Sequence, residues 1–343
     1  MTVNVRIAQV VRDAAWLAHR YDPEHDAVHF VRVDRAAHAR ATFLTDALLV
    51  PEGEPVVVSR ADAIAALPAI GPIHFLFHSA FCCSTLLARA FDISGKSMGL
   101  KEPTILNDIV GWRHRGENRG TLVAQVLDQS LALLARPFHL GETTVLKPSN
   151  LINGLADGML ALRPSAQALL LEAPLPIYLR SIAKKGLEGR LWVRDLLAKL
   201  LREGLIDLGL EGEDYLRLTD LQAAAVGWLA QHALFARIAA KYSQRVRTLD
   251  SETLMARPAD CVTALAAHYR LNLPRGDIDA IIDGPAFTSH SKHGKTFDAN
   301  ARSAEYAASG EAHSDEIAKV EAWAAIVAER ASIPPLLPQG LLT

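Results

Sequence analysis

The chain has 343 residues, of which 50% are hydrophobic and 22% are charged, and its 36 basic and 38 acidic residues give a formal net charge of −2. That length is enough for one large or two modest domains with a substantial core. The nearly balanced charge provides no overall field that would attract DNA, RNA or an acidic membrane, so we expect no nucleic-acid partner.

The cysteines and the apolar runs bear on the compartment of the protein. Cys82, Cys83 and Cys261 make neither a disulfide framework nor a zinc site, and the adjacent pair lacks the Cys-x-x-Cys spacing of redox and metal sites. No apolar run reaches the length of a transmembrane helix, and the N-terminus lacks a secretory pattern. We therefore expect a cytoplasmic protein without an integral membrane segment.

Residues 1–70 carry no obvious chemical motif. Their pattern predicts a short helix over Val10–Arg20, a strand over Ala27–Val33 and a helix that begins after Ser59. We expect this part of the chain to form an N-terminal cap or small subdomain packed on a sheet.

The most informative stretch is residues 72–92. The apolar run Ile73–Phe77 is typical of a short buried strand, and small or polar residues follow over His78–Thr85. The apolar residues after them recur at helical spacing. A strand, a tight polar loop and a helix N-terminus in succession collect unpaired backbone N–H groups. The stretch therefore predicts a site for an anion, most often a phosphate, with the hydroxyls of Ser84 and Thr85 available to bind it.

This stretch resembles the 5′-phosphosulfate loop of the sulfotransferases, a branch of the P-loop fold. The family pattern is an apolar strand, then Gly-x-x-Arg-Ser-Gly-Thr-Thr-Leu-Leu, then a helix, and it falls on His78–Leu87 in this chain. The second half of the pattern matches well, at Ser84, Thr85, Leu86 and Leu87.

Three positions of the loop depart from the family pattern. His78 and Cys83 stand where the family has glycine, and Phe81 stands where the family has the basic residue that acts on the transferring group. The stretch is also not a Walker A loop, because the chain's Gly-Lys-Ser, Gly95–Ser97, lies beyond the helix.

The resemblance implies an α/β protein with a P-loop-type three-layer sandwich, a mainly parallel central sheet and a helical insert. It also implies 3′-phosphoadenosine 5′-phosphosulfate as the cofactor. Five residues of the loop would then hold the 5′-phosphosulfate, namely Ser79, Cys82, Cys83, Ser84 and Thr85.

Two later strand ends add candidates, because ligands of parallel α/β folds bind at the carboxyl edge of the sheet. Lys101 and Glu102 end a short strand, and we expect both to face the same crevice as the loop. The resemblance implies that Glu102 is the general base for the acceptor hydroxyl; the alternative is an ordinary ion pair or helix cap. A strand-to-helix turn is also predicted after Lys147, our best candidate for neutralising phosphate charge, with a purely structural lysine as the alternative. Ser149 stands where the family has its histidine base.

The family binds the 3′-phosphate with an arginine and a serine that follow the next strand, and with a basic C-terminal loop. In this chain Glu172 replaces that arginine, and Arg180 and Ser181 are the nearest candidates. Lys292 and Lys295 are the candidates in the late polar segment, Phe287–Arg302. One alternative for that segment is a solvated loop. The other is a metal site at His290 and His293, although no carboxylate or cysteine nearby has the spacing of a further metal ligand.

Strands at residues 73–77, 98–101, 143–147, 168–172 and 245–249, separated by helical stretches, predict a parallel α/β sheet. Helices are predicted over residues 122–134, 191–201, 221–240, 258–271 and 313–331, and a basic polar loop over Trp112–Arg119. The expected domains are a cap at 1–70, a sulfotransferase-like P-loop domain at 71–331 and a C-terminal tail at 332–343.

The leading hypothesis is transfer of a sulfuryl group from 3′-phosphoadenosine 5′-phosphosulfate to a hydroxyl or amine of a small-molecule acceptor. Lys147 would stabilise charge on the bridging oxygen, and Glu102 or His78 would take the acceptor proton. The alternatives are a P-loop phosphotransferase resembling a kinase, which the missing Gly-Lys-Ser/Thr disfavours, and a non-catalytic phosphonucleotide-binding protein of the same fold.

Overall fold

The computed structural model describes residues 3–116, 120–288 and 299–342. The strands are β1 Trp16–Asp22, β2 Ala27–Arg32, β3 Glu52–Ser59, β4 Ile73–His78, β5 Ser97–Lys101, β6 Thr143–Lys147, β7 Ala168–Glu172 and β8 Val246–Asp250. The helices are α1 Val3–Arg12, α2 Arg35–Arg40, α3 Arg60–Ala65, α4 Ser84–Ala90, α5 Thr104–Arg115, α6 Gly120–Leu134, α7 Ala156–Leu162, α8 Leu175–Lys184, α9 Gly186–Arg202, α10 Gly212–Arg217, α11 Asp220–Lys241, α12 Ser251–Ala256, α13 Pro258–His268, α14 Arg275–Ile282, α15 Pro285–Thr288 and α16 Ala299–Arg330. A 3₁₀ helix, Asn150–Leu155, precedes α7.

A five-stranded parallel sheet with the order β5-β6-β4-β7-β8, flanked by helices, confirms the predicted fold class. All five predicted strands are present, and their ends agree with the prediction to within one residue. The reason is that β4, β5, β6 and β7 are buried along their whole length, so most of their residues are apolar or small. The charged residues Lys101, Lys147 and Glu172 stand at the strand ends.

Two compact units make up the chain. The first unit comprises Met1–Leu76, Thr85–Gln167 and Tyr269–Leu271, and the second unit comprises Phe77–Ser84, Ala168–His268 and Asn272–Thr343. Within the described residues, no helix is both long and apolar enough to cross a membrane.

The first unit begins with α1 and an antiparallel sheet, β1-β2-β3. The helix predicted over Val10–Arg20 is wrong beyond Arg12, because α1 ends at Arg12 and β1 begins at Trp16. A turn separates them, in which the Trp16 amide donates to the Asp13 carbonyl at 3.0 Å. Pairing with β2 then overrides the local helical pattern. The predicted start of α3 is confirmed, since the Ser59 side chain accepts the Asp62 amide as an N-cap.

Arg136 fixes this N-terminal corner of the first unit. Its guanidinium donates to the carbonyl oxygens of Leu133, Val11 and Trp16 at 2.6–2.7 Å and to that of Asp13 at 3.3 Å. The side chain is only 5% exposed, and burial lowers the pKa of Arg136 to about 10. One buried side chain therefore joins the end of α1, the following turn and the start of β1 to the residues after α6.

The basic loop predicted over Trp112–Arg119 is wrong in its first half. Helix α5 continues to Arg115, and Trp112 is buried against the edge of Tyr21, with ring centroids 5.7 Å apart. Ile105, Ile109 and Trp112 lie on one helical face, and their burial outweighs the local run of charge. Residues 117–119 lie outside the described residues.

The second unit contains the predicted helical insert, α9 and α11, and the C-terminal tail. A Cβ at Gly189 would lie 2.6 Å from the Ile182 carbonyl oxygen, so the close succession of α8 and α9 requires glycine there. The tail pairs with β8: the Thr248 amide donates to the Gln339 carbonyl, and the Leu341 amide donates to the Thr248 carbonyl, both at 2.9 Å.

The late polar segment is shorter than predicted. Phe287 belongs to α15, and α16 already begins at Ala299, so Arg302 is helical rather than in a loop. An alanine-rich sequence explains the early start of α16. Lys292 and Lys295, together with the two histidines considered as metal ligands, lie outside the described residues.

Candidate functional site

The loop between β4 and α4 has an unusual backbone. Ala80, Phe81 and Cys83 have φ values of +72°, +53° and +63°, in the left-handed region that residues other than glycine seldom adopt. Each such residue costs about 1–2 kcal/mol. Cys83 stands at a glycine position of the sulfotransferase pattern. It adopts the left-handed conformation that glycine favours, although it is a cysteine. Left-handed residues in a tight turn direct successive N–H groups towards one point and form an anion-binding concavity.

Three hydrogen bonds fasten this loop within the second unit. The Ser79 amide and the Cys82 thiol both donate to the Leu171 carbonyl on β7, at 3.1 and 3.4 Å. The Ala80 amide donates to Nδ1 of His78 at 3.0 Å. Neutral His78 therefore carries its proton on Nε2, and Nδ1 is not available as a base in this arrangement. The proposed proton-accepting role of His78 stays a prediction.

Three hydroxyls of the loop have no hydrogen-bond partner among the described residues, those of Ser79, Ser84 and Thr85. Ser79 is the most enclosed of them, at 1% exposed. A buried polar group without a partner costs about 1–3 kcal/mol. An orphaned hydroxyl inside a strained loop is the expected signature of a group that a ligand completes.

An aromatic cluster holds the position where the family has its basic residue. Phe81 lies edge-on to Tyr178 of α8 and to Trp192 of α9, with ring centroids 5.8 and 5.3 Å apart. Aromatic packing therefore positions the loop at Phe81, and this side chain brings no positive charge to it.

A buried carboxyl–imidazole pair lies at the end of β7. His232 Nδ1 is 2.9 Å from a Glu172 oxygen, and His232 Nε2 is 2.8 Å from the Pro334 carbonyl oxygen of the tail. Since both ring nitrogens face acceptors, the pair holds two protons, either as imidazolium and carboxylate or as neutral imidazole and carboxylic acid. Burial raises the pKa of Glu172, and the hydrogen bond from His232 opposes that shift. The pair ties the tail to the second unit.

The tail contact gives a testable contrast between two substitutions. Glu172→Gln is expected to lower the free energy of unfolding by less than about 1 kcal/mol, because its amide can donate to Nδ1 while Nε2 still donates to Pro334. His232→Leu is expected to cost about 2 kcal/mol, because it leaves a buried carboxyl and a buried carbonyl without their partner. Urea unfolding of both variants measures the difference, and equal losses would contradict this hydrogen-bond assignment.

The contribution of Glu172 to the free energy of unfolding should change with pH in a defined direction. The folded-state pKa of Glu172 is raised above the unfolded value of about 4.3. Its stabilising contribution is therefore fully present below pH 4 and is lost as the pH rises through the folded-state pKa. In the Glu172→Gln variant this component of the stability–pH curve should be missing.

In the first unit, two of the predicted catalytic residues lie together. Lys147 is fully buried, and its Nζ donates to a carboxylate oxygen of Glu102 and lies 5.2 Å from the ring centroid of Phe43. The Glu102 amide also donates to the Lys147 carbonyl at 2.7 Å, with φ of Glu102 at +54°. The charge of Lys147 is thus already balanced by Glu102.

Ser149, which stands at the position of the family's histidine base, donates its hydroxyl to Asn107 Oδ1 at 2.8 Å.

Lys101 does not accompany Glu102, contrary to the expectation that both face one crevice. Its Nζ donates to the carbonyls of His38 and Ala39 at 2.9 and 2.8 Å. Strand β5 ends at Lys101, and Glu102 follows it in the left-handed conformation, with φ at +54°, so the backbone turns between the two side chains. Desolvation lowers the pKa of Lys101 to about 8.

The candidates for the 3′-phosphate are only partly described. Arg180 is half-buried on α8, whereas Ser181 is buried and its hydroxyl donates to the Ile177 carbonyl of the same helix at 2.9 Å. Lys292 and Lys295 lie outside the described residues. Across the residues that are described, no group of three or more histidine, cysteine or acidic side chains could hold a metal ion.

Sequence reasoning missed the partner of Glu172 and the partners of Phe81. His232 is 60 positions from Glu172, and no local pattern links them. The aromatic character of Phe81, Tyr178 and Trp192 was visible in the sequence, but their mutual contact depends on how α8 and α9 pack.

Comparison with known proteins gives a distant structural likeness alone. No protein-family model matches the chain, and no curated protein matches it. One similar solved structure is the "Sulfotransferase Domain from the Curacin Biosynthetic Pathway", at 13% sequence identity and a TM-score of 0.42, covering 72% of this chain and 98% of that domain. At that identity, the likeness concerns the arrangement of strands and helices alone.

Proposed function

We propose that this protein is a sulfotransferase-like enzyme that binds 3′-phosphoadenosine 5′-phosphosulfate through the loop after β4 and transfers the sulfuryl group to a hydroxyl or amine of a small molecule. The observation that carries the proposal is the left-handed backbone at Ala80, Phe81 and Cys83 around the unpartnered, buried hydroxyl of Ser79. Strain of this kind is found mainly at functional sites.

The position of the loop in the sheet supports an anion site. The loop follows β4, which is the first strand of the parallel sheet along the chain and lies at its centre. The chain proceeds from β4 to β5 and β6 on one side, and then to β7 and β8 on the other. Open α/β sheets bind ligands beyond the carboxyl ends of their strands where the strand order reverses in this way.

The residues of the loop would share the work of holding the 5′-phosphosulfate. Hydroxyls of Ser79, Ser84 and Thr85 would donate to its oxygens, and the backbone at Cys82 and Cys83 would supply N–H donors. Arg180 and Ser181, with Lys292 and Lys295, are the proposed contacts for the 3′-phosphate, and Ser181 would have to exchange its present bond within α8.

For the chemical step we propose the roles that the family resemblance implies. The acceptor oxygen or nitrogen forms a bond to sulfur, and the bond from sulfur to the bridging oxygen breaks. Lys147 would offset the charge that develops on the leaving oxygen. Glu102 would accept the acceptor proton. His78 is the alternative base, and in that role its Nδ1 would have to give up the hydrogen bond from the Ala80 amide.

A second candidate function is non-catalytic binding of a phosphonucleotide. It is favoured by two observations: Phe81 stands in place of the basic loop residue and packs against aromatic rings, and the charge of Lys147 is already balanced by Glu102. A protein that binds without transferring needs the loop but not these charges.

A ligand screen followed by a turnover assay separates the candidates. Adenosine 3′,5′-bisphosphate should raise the unfolding temperature, because a ligand that binds only the folded state stabilises it by mass action, by about 2.7 kcal/mol at 100 times its Kd. Adenosine 5′-monophosphate, which lacks the 3′-phosphate, is the matched control and should act more weakly. A shift with ATP or GTP and magnesium alone would instead indicate a phosphotransferase.

A turnover assay then distinguishes a sulfotransferase-like enzyme from a non-catalytic phosphonucleotide-binding protein. Protein incubated with labelled 3′-phosphoadenosine 5′-phosphosulfate and a panel of phenols, alcohols and amines should form a labelled product. Bisphosphate binding with no product from any acceptor would favour the non-catalytic candidate. No stabilisation by any of these nucleotides would overturn the proposal.

A further inference from the structure

A basic cleft lies in the first unit, among residues to which the proposed function gives no role. Its volume is about 600 Å³, within the range of small-ligand sites. One wall is a face of α1 and the other is the paired ends of β1 and β2. The lining residues are Arg6, Gln9, Val10, Arg12, Asp13, Trp16 and Arg32.

The residues that line this cleft carry an excess of positive charge. Three arginines against one aspartate leave a formal charge of +2, although the whole chain carries −2. Among the described residues, Arg6 and Arg12 have no acidic partner. Arg12 gains some stabilisation from the C-terminal end of α1, but Arg6 lies in its first half. Arg32 pairs with the exposed Glu52 at 3.4 Å, and a solvent-exposed ion pair of this kind contributes little.

Geometry places an aromatic ring beside one of these charges. Trp16 and Arg32 are direct partners in the antiparallel pairing of β1 with β2, so their side chains emerge on the same face of the sheet, about 5 Å apart at Cβ. Arg6, Gln9 and Val10 of α1 follow the i, i+3, i+4 spacing of a single helical face. Asp13 comes directly after the helix and continues that spacing, since its amide still donates to the Gln9 carbonyl at 3.2 Å.

The cleft is held in shape before any ligand arrives. Arg136 binds the carbonyls of Val11, Asp13 and Trp16, and the Asp13 carboxylate accepts the Ala15 amide at 2.9 Å. Because the turn that joins the two walls is fixed in this way, binding would cost little ordering of the backbone.

We propose that this cleft binds a small aromatic molecule that carries a phosphate monoester. Guanidinium groups pair with phosphate oxygens in a planar, bidentate geometry, and a phosphate dianion matches the excess charge of +2. The indole of Trp16 supplies an apolar face on which an aromatic ring stacks. The site is separate from the loop after β4 and does not depend on sulfuryl transfer.

Calorimetry of the full chain with 1-naphthyl phosphate, inorganic phosphate and 1-naphthol tests the proposal. We expect 1-naphthyl phosphate to bind at least tenfold more tightly than inorganic phosphate, and 1-naphthol to give no measurable binding. Arg6→Gln/Arg32→Gln should weaken both phosphates tenfold or more. Trp16→Leu should remove the advantage of the naphthyl ring while leaving inorganic phosphate unchanged.

Two control variants make the outcome decisive. Arg40→Gln removes an exposed arginine elsewhere in the first unit and should leave all affinities unchanged. Ser84→Ala/Thr85→Ala disables the proposed sulfate-donor loop and should also leave 1-naphthyl phosphate binding unchanged. The proposal is overturned if 1-naphthyl phosphate does not bind, if the arginine double variant binds it as well as the unmodified chain, or if only the loop variant loses it. Unfolding temperatures of all variants confirm that each is folded.

Discussion

Ser84→Ala/Thr85→Ala is expected to lower the affinity for adenosine 3′,5′-bisphosphate by about 100-fold or more. A hydrogen bond to a charged group contributes about 1.5–3 kcal/mol, and each 1.4 kcal/mol corresponds to a factor of ten in Kd. Two lost hydroxyl contacts to a phosphate therefore account for the expected change. Isothermal titration calorimetry of the variant and of the unmodified chain measures it directly.

The fold should survive this double substitution. Neither hydroxyl bonds to another described residue, so their removal leaves no protein group without a partner. Thr263→Ala is the matched control, because it removes a hydroxyl on α13 that only bonds the preceding turn of its own helix. Affinity that is retained in the double variant, with an unchanged unfolding temperature, would show that the loop after β4 does not hold the phosphate.

Arg136→Met is expected to lower the free energy of unfolding by about 4 kcal/mol. The methionine keeps much of the apolar stem but leaves four backbone carbonyls without their donor, each at a cost of about 1–3 kcal/mol that neighbouring groups or water partly recover. Urea unfolding should show a lower midpoint with an unchanged slope.

An exposed arginine provides the control for this loss. Arg40→Met should change the free energy of unfolding by no more than about 0.5 kcal/mol, as is usual for surface substitutions. If Arg136→Met unfolds within about 1 kcal/mol of the unmodified chain, then the carbonyl contacts do not stabilise the N-terminal corner as inferred.

The parallel sheet could be predicted from the sequence because its strands are buried. Runs such as residues 168–171 of β7 are apolar without interruption, so their position needs no knowledge of the partner strand. The edge of a partly solvated sheet is different. Trp16–Asp22 has a mixed pattern that fits a helix locally, and its pairing with Ala27–Arg32 decides its structure.

The candidate site was predictable in outline, but its present bonding was not. The strand–loop–helix order identified the loop, and Ser84 and Thr85 with it. Cysteine disfavours the left-handed conformation, so nothing in the local sequence indicates that Cys83 adopts it. The pairing of Lys147 with Glu102, 45 positions away, and of His232 with Glu172 follows from tertiary packing alone.

The bonding of the C-terminal tail to β8 has a consequence for self-association. β8 is an outer strand of the parallel sheet, and an outer strand presents backbone donors and acceptors to which another chain can add. In this protein Gln339 and Leu341 occupy those groups at Thr248, and the Thr248 hydroxyl is bound to the Pro338 carbonyl. Residues 339–341 thus occupy the β8 edge at Thr248, which reduces the backbone that a neighbouring molecule could use for strand addition.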